Sequence, residues 1–269
     1  SGIQFKTLNS SKGRAVRSLR VQTDKKKYPL FVNNILKNDK NISFLEGEVV
    51  SFSASKGRVQ SIKLKTGEEL SCLGLIITSG TFLNGLIHIG EKSFRAGRLG
   101  EAAAEGLTEC LKSLGFASGR LKTGTPPRLL KKSINWSKAI KTGGDKNPQP
   151  FSLFRSSEKI TKNIDSFSVN TNVNSHSVLL ENVDKSPMYS GKINAVGPRY
   201  CPSIEDKVVR FESQSSHSLF LEPEWEGSNQ IYLSGFSTSL PEETQTACLK
   251  TISGLEDVEV IRPGYAIEY

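Results

Sequence analysis

Leu73-Gly74-Leu75-Ile76-Ile77-Thr78-Ser79-Gly80-Thr81 is the stretch on which the fold turns. Leu73 to Thr78 reads as a buried strand, and Ser79-Gly80-Thr81 punctuates it. A buried strand ending in glycine at a sheet's carboxyl edge is where α/β folds hold ligands. A plain core strand followed by a turn fits the same residues.

Upstream, Val49 to Ser53 and Val59 to Lys65 alternate apolar and polar around Ser55-Lys56-Gly57-Arg58. A second turn, Thr66-Gly67, leads to Glu69 to Cys72, so the segment reads as a β-meander. Earlier still, Leu30, Phe31, Ile35 and Leu36 recur at helical spacing with Pro29 in a first turn, and Lys37 to Asn41 ends that helix. Downstream, Glu101 to Leu114 reads as a helix stopped by Gly115. Two prolines and three cations in Gly119-Arg120-Leu121-Lys122-Thr123-Gly124-Thr125-Pro126-Pro127-Arg128 then break the pattern, placing a domain boundary between residues 123 and 124. Leu129 to Asn174 is loop-heavy and polar. Ser239-Leu240-Pro241-Glu242-Glu243 opens a helix that stops at Gly254, and Val258 to Ile261 is a short apolar run. The expected class is α/β, in two units.

The chain has 269 residues and a net charge of +9, from 36 Lys+Arg against 27 Asp+Glu. No apolar run approaches the roughly 18–20 residues of a membrane helix. Ser1 to Lys6 lacks a signal peptide's apolar region, and the absent initiator Met is expected of a fragment or a processed start. Cys72, Cys110, Cys201 and Cys248 are far apart, which argues against a disulfide framework and for a reducing compartment. The positive balance points weakly to a polyanionic partner.

The most informative chemistry lies in Gly197-Pro198-Arg199-Tyr200-Cys201-Pro202-Ser203-Ile204-Glu205-Asp206-Lys207. Ser203 and Asp206 have capping-box spacing and open a helix bearing Val208, Val209 and Phe211. Cys201 precedes that helix, with Arg199 two residues upstream; both the helix end and the guanidinium favour a thiolate. A buried, inert cysteine fits the spacing equally well. The same helix end, with Arg199, Tyr200 and Lys207, could hold a phosphate or stack on a base. Lys12, Arg17 and Arg20 could bind phosphates or form a solvated face. His88, His176 and His217 are scattered, so no metal site is expected. An acid/base role for His217 or Glu222 is less favoured than a salt-linked turn. No G-x-G-x-x-G fingerprint occurs.

These motifs, taken in order, resemble the MnmG (GidA) flavoproteins. The resemblance is carried by Gly80-Thr81-Phe82-Leu83, Ile87-His88-Ile89-Gly90, Gly119 to Arg128, Ser186-Pro187-Met188-Tyr189 and Gly197 to Lys207. It continues in Phe220-Leu221-Glu222-Pro223-Glu224, Ser237 to Pro241 and Arg262-Pro263-Gly264-Tyr265-Ala266-Ile267-Glu268-Tyr269. The resemblance implies an FAD-dependent tRNA-modifying enzyme of the cytoplasm. With a GTPase, MnmE, such enzymes place an aminomethyl or carboxymethylaminomethyl group on C5 of the wobble uridine, using methylene-tetrahydrofolate and NADH. It implies FAD contacts at Val49 and Ala104, and NAD contacts along Gly197, Pro198, Arg199, Tyr200, Cys201, Pro202, Ser203, Ile204, Glu205, Asp206, Lys207, Val208, Val209, Arg210 and Phe211. It also implies a catalytic thiol at Cys201 and a homodimer. Charge adds Arg120, Lys122, Arg199 and Lys207 as tRNA phosphate contacts.

The fold implied is part of an FAD-binding Rossmann-like domain of the glutathione-reductase type, residues 1–123, with a β-meander. An inserted α/β NAD-binding-like domain follows over residues 124–269. The family's glycine fingerprint and its C-terminal helical domain have no counterpart here, so the chain reads as a central fragment, inactive alone. Ala104 stands where members often carry Ser, and Arg14 where Pro is usual. The alternatives are a folate- and FAD-dependent tRNA uridine-C5 methyltransferase relative, against which the long segment Leu129 to Ser186 argues, and a non-catalytic RNA-binding module.

Overall fold

A computed structural model describes residues 1–151, 160, 163–193, 195, 197 and 202–269. Four sheets organise the described chain. Strands β1 (Gly2–Leu8) and β2 (Ser18–Thr23) form a hairpin, and helix α1 (Lys27–Lys37) follows. The meander is β3 (Val49–Ser55), β4 (Arg58–Leu64) and β5 (Glu69–Ser71). Its first turn carries Lys56 and Gly57 at φ 51° and 72°, the left-handed pair that a tight hairpin requires.

A four-stranded sheet has the order β7-β6-β15-β8, from β6 (Leu86–Ile89), β7 (Lys92–Arg95), β8 (Lys122–Thr125) and β15 (Tyr265–Glu268). The largest sheet runs β10-β11-β12-β13-β9-β14. It comprises β9 (Arg128–Leu130), β10 (Ile140–Thr142), β11 (Ser166–Asn170), β12 (Ser218–Pro223), β13 (Gln230–Ser234) and β14 (Val260–Arg262). Every pairing between these named strands is antiparallel. The remaining helices are α2 (Leu107–Ser113), α3 (Val173–Glu181), α4 (Ile204–Arg210) and α5 (Glu242–Lys250).

Alternation decides how the large sheet is covered. On one face Leu219, Leu221, Ile231 and Leu233 are almost fully buried. They form one core with Leu179 of α3, Ile204 and Val208 of α4, and Cys248 and Leu249 of α5. Successive strand residues point oppositely, so Phe220 and Glu222 face the other way. The β1–β2 hairpin engages that second face: Arg20 donates to both oxygens of Glu222 at 2.7 and 3.0 Å, and the Lys6 ammonium lies 6.0 Å from the Phe220 ring centre. Buried Gln4 bonds Ser166, and Lys25 and Arg128 both reach buried Glu224. Glu222 is thus salt-linked, and Arg20 is committed to it.

Three expectations need correction. Leu73 to Thr78 forms no strand; Leu73 and Ile76 are 104% and 88% exposed. An apolar run is buried only where a neighbour covers it, and no described strand pairs with this one. Glu101 to Gly106 is not helical. A parallel bridge joins Ala104 to Leu83, and α2 starts only after Gly106, at φ 97°. The apolar spacing that predicted the longer helix belongs to its second half. Finally, the chain crosses the 123/124 boundary in both directions. Strand β15 pairs with β6 and β8, and the N-terminal hairpin bonds Asp145, Asn163 and Glu222. Long-range antiparallel pairing leaves no mark in local composition. Among the described residues no helix is long and apolar enough to cross a membrane.

Candidate functional site

Four of the sequence motifs meet at the start of α4. Ser203 caps the helix by accepting from Asp206 N at 3.3 Å, and Asp206 returns a bond from Ser203 N at 3.2 Å, completing the expected box. Tyr189 Oη donates to Asp206 Oδ1 at 3.1 Å, and Ser186 Oγ to Glu205 Oε1 at 3.1 Å. Ile204 N donates to the Ser237 carbonyl at 2.7 Å, while Ser239 lies 3.4 Å from Ser186. Lys122 faces Glu205 electrostatically from β8. Burial pushes the Glu205 carboxyl up, against the opposing pull of Lys122 and its hydroxyl donors. One Glu205 oxygen, Oε2, is buried without a hydrogen bond.

Pro198, Arg199, Tyr200 and Cys201 lie outside the described residues. Gly197 is exposed, and Pro202 is half-buried. Within α4, Ser203, Ile204, Glu205, Asp206 and Val208 are buried, Lys207 and Val209 are half-buried, and Arg210 and Phe211 are exposed. The buried part of the stretch therefore holds the helix in place. Lys207 donates to the Gly235 carbonyl at 3.1 Å, and burial lowers its pKa.

The face of the four-stranded sheet nearest this region is polar. Register pairs Glu268 with Lys122 and with Leu86, and Ala266 with His88. Glu268 is the hub: Oε1 accepts from Arg120 Nε at 2.5 Å, and Oε2 lies 3.3 Å from His88 Nε2. Arg120 also donates to the Asn84 carbonyl at 3.1 Å, and His88 Nδ1 lies 2.9 Å from Ser93 Oγ. Met188, Ile193 and Ala195, which precede the Cys201 segment, pack on Ala266 of the same face. Lys122 is only 3% exposed, so its ammonium does not meet a phosphate at the surface. Arg120 is held by Glu268 and is only partly open.

Arg120 and Glu268 also line a cleft of about 1070 Å³. Its other walls include Val50, Ala102, Ala103 and Gly106, the neighbours of Val49 and Ala104. Val49 begins β3, paired with Leu64, and Ala104 exchanges backbone bonds with Phe82 and Asn84. A Cβ on Gly106 would sit 2.4 Å from the Val50 carbonyl oxygen, so the two walls touch through bare backbone. Glu48, Glu105, Glu109, Glu268, Lys65, Arg95 and Arg120 mix both charges around the opening. Sequence reasoning missed Glu268, His88 and Gly106 as site residues. The first two stood in the recognised motifs and were assigned no role.

Among the described cysteines, Cys248 is buried, its thiol pushed up to about 12, and Cys110 donates to the Phe52 carbonyl. Neither has the environment of a reactive thiolate. Burial lowers the pKa of His88, His176 and His217. Each is 6.5 when unperturbed. The unfolded chain therefore takes up protons that the fold resists. Stability is intact above about pH 6.5 and falls as pH drops below it. Urea midpoints at pH 7.5 and 5.5 check this; an equal or higher midpoint at pH 5.5 would contradict it.

The Glucose inhibited division protein A family matches residues 1–269. The chain is 49% identical over 270 residues to the tRNA uridine 5-carboxymethylaminomethyl modification enzyme MnmG of Thermodesulfovibrio yellowstonii, covering 100% of this chain and 43% of that protein. It is 50% identical to the MnmG of Bdellovibrio bacteriovorus, covering 99% and 42%. The crystal structure of Aquifex aeolicus GidA superposes with a TM-score of 0.91 at 40% identity, over 100% of this chain and 46% of that one. The chain thus spans less than half the length of the relatives it matches. Match along every residue and agreement of the backbone lead to one conclusion: the chain belongs to the GidA (MnmG) family, an enzyme family with a mixed α/β fold.

Proposed function

We propose that the full-length protein modifies tRNA, placing an aminomethyl or carboxymethylaminomethyl group on C5 of the wobble uridine. Whole-chain identity of 49% to an enzyme named for that reaction carries the reading. FAD and NADH are its redox cofactors, methylene-tetrahydrofolate its one-carbon donor, and the GTPase MnmE its partner. It works as a homodimer in the cytoplasm.

The residues present fit a flavin. The cleft has the volume of a cofactor site, at the upper end of the roughly 300–1,000 Å³ usual for such pockets. Its walls at Val50 and Ala102 to Gly106 offer backbone rather than bulky side chains, and Val49 and Ala104 stand beside them. When bound, FAD supplies the electron transfer that reduces the one-carbon unit. Arg120, held by Glu268, keeps a cation at the cleft floor. The segment Gly197 to Phe211 binds NADH, and its α4 part is fixed by Ser186, Tyr189 and Ser237. Cys201 acts as the thiol of the reaction, by adding to the uracil ring or by moving a proton. A thiolate that adds at C6 makes C5 nucleophilic. Arg199 contacts tRNA phosphate.

The experiment is nucleoside mass spectrometry of total tRNA from cells lacking the gene and complemented with the full-length protein. The C5-modified wobble uridine is expected to return. Its continued absence, with the protein expressed and folded, would sink the reading.

A further inference from the structure

We propose that Lys122 is a binding residue of this site, its ammonium receiving a carbonyl oxygen of a pyrimidine-2,4-dione ring at the inner end of the cleft. The inference rests on the function proposed above and names a recognition contact within it. Such a dione occurs in two molecules of that reaction, the flavin ring and the uracil ring.

Lys122 is 3% exposed, yet its ammonium makes neither a hydrogen bond nor an ion pair among the described residues. An ammonium has three donors and no acceptor, and burying it unpaired is among the costliest arrangements a fold carries. Glu205 does not relieve it. No ion pair joins them, and burial favours the neutral form of that carboxyl. An unrelieved cation beside an unsatisfied Glu205 oxygen is what a site awaiting a polar group looks like.

Position supplies the direction. Lys122 is the register partner of Glu268 on β15, so both side chains rise from the same sheet face. Glu268 lines the cleft floor with Arg120. The charges around it select the ligand: Glu48, Glu105, Glu109 and Glu268 oppose a phosphate dianion but tolerate a neutral ring. A dione ring gathers negative charge on its carbonyl oxygens when electrons are added to it, so a fixed ammonium there gains strength as the reaction proceeds.

The test uses the full-length protein, wild type and Lys122→Met, with Lys122→Gln as a second variant that keeps a neutral donor. One arm measures the reduction potential of bound FAD; the other measures binding of UMP, with CMP as control because it carries an amino group at C4. A more negative potential in Lys122→Met with unchanged UMP binding assigns the contact to the flavin. UMP binding weakened by roughly tenfold or more, with the preference over CMP lost, assigns it to uracil. In either case Lys122→Gln falls between. Lys122→Met should also melt no lower than wild type, because it removes a buried unpaired charge. If folded Lys122→Met, or Lys122→Gln should the first not fold, leaves both arms unchanged, the proposal is overturned. Activity of the wild type is read separately by complementation, so that failure leaves the proposed function standing.

Discussion

A full-length protein carrying Gly106→Val is expected to lose its flavin and at least about 2 kcal/mol of stability. Two causes act at one residue. Gly106 holds φ 97°, a conformation costing a β-branched residue roughly 1–3 kcal/mol. Its new Cβ would also stand 2.4 Å from the Val50 carbonyl oxygen, which is backbone and cannot swing aside. Relief requires moving β3 or the 102–106 segment, and both form walls of the cleft. Gly106→Ala should show the same direction, less strongly. Urea unfolding and the visible absorbance of the purified protein measure the two effects. Normal flavin content with an unchanged midpoint would show that the walls tolerate separation.

Much of the local structure was legible because its causes are local. Ser203 and Asp206 announced the start of α4, Pro29 fitted the first turn of α1, and Lys56-Gly57 marked the meander's tight turn. Leu73 to Thr78 shows where such reasoning stops. Hydrophobicity states what a segment needs, and only another part of the chain can supply it; the described residues do not. The interleaving of β15 with β6 and β8 was equally invisible, since residues more than 140 positions apart define it.

The site divides along the same line. Spacing singled out the stretch around Cys201 and its helix, but burial reverses how most of α4 reads: Ile204 and Val208 are core, and Glu205 is a buried acid. Positive charge alone suggested Arg120 and Lys122 as phosphate contacts. Burial of Lys122 and the grip of Glu268 on Arg120 turn both inward. A charge read from sequence carries no direction until the strand register is known. His88 and Glu268 sat in plain view within their motifs, yet neither spacing nor composition joins residues 88 and 268.

Cys201 is the residue on which the account depends. Ser186, Tyr189, Ser237 and the capping pair all hold the helix that begins three residues after it. Serine is nearly the same size but ionises far above neutral pH, so Cys201→Ser removes the thiolate with little change in packing. The most direct measurement is nucleoside mass spectrometry of tRNA from cells complemented with full-length wild type or Cys201→Ser, each confirmed folded. The account predicts C5-modified wobble uridine with the wild type and a fall of at least about a hundredfold with the variant, the scale of a lost nucleophile or proton-transfer group. Equal modification by the two proteins would contradict it, leaving Cys201 a structural residue and the chemistry elsewhere.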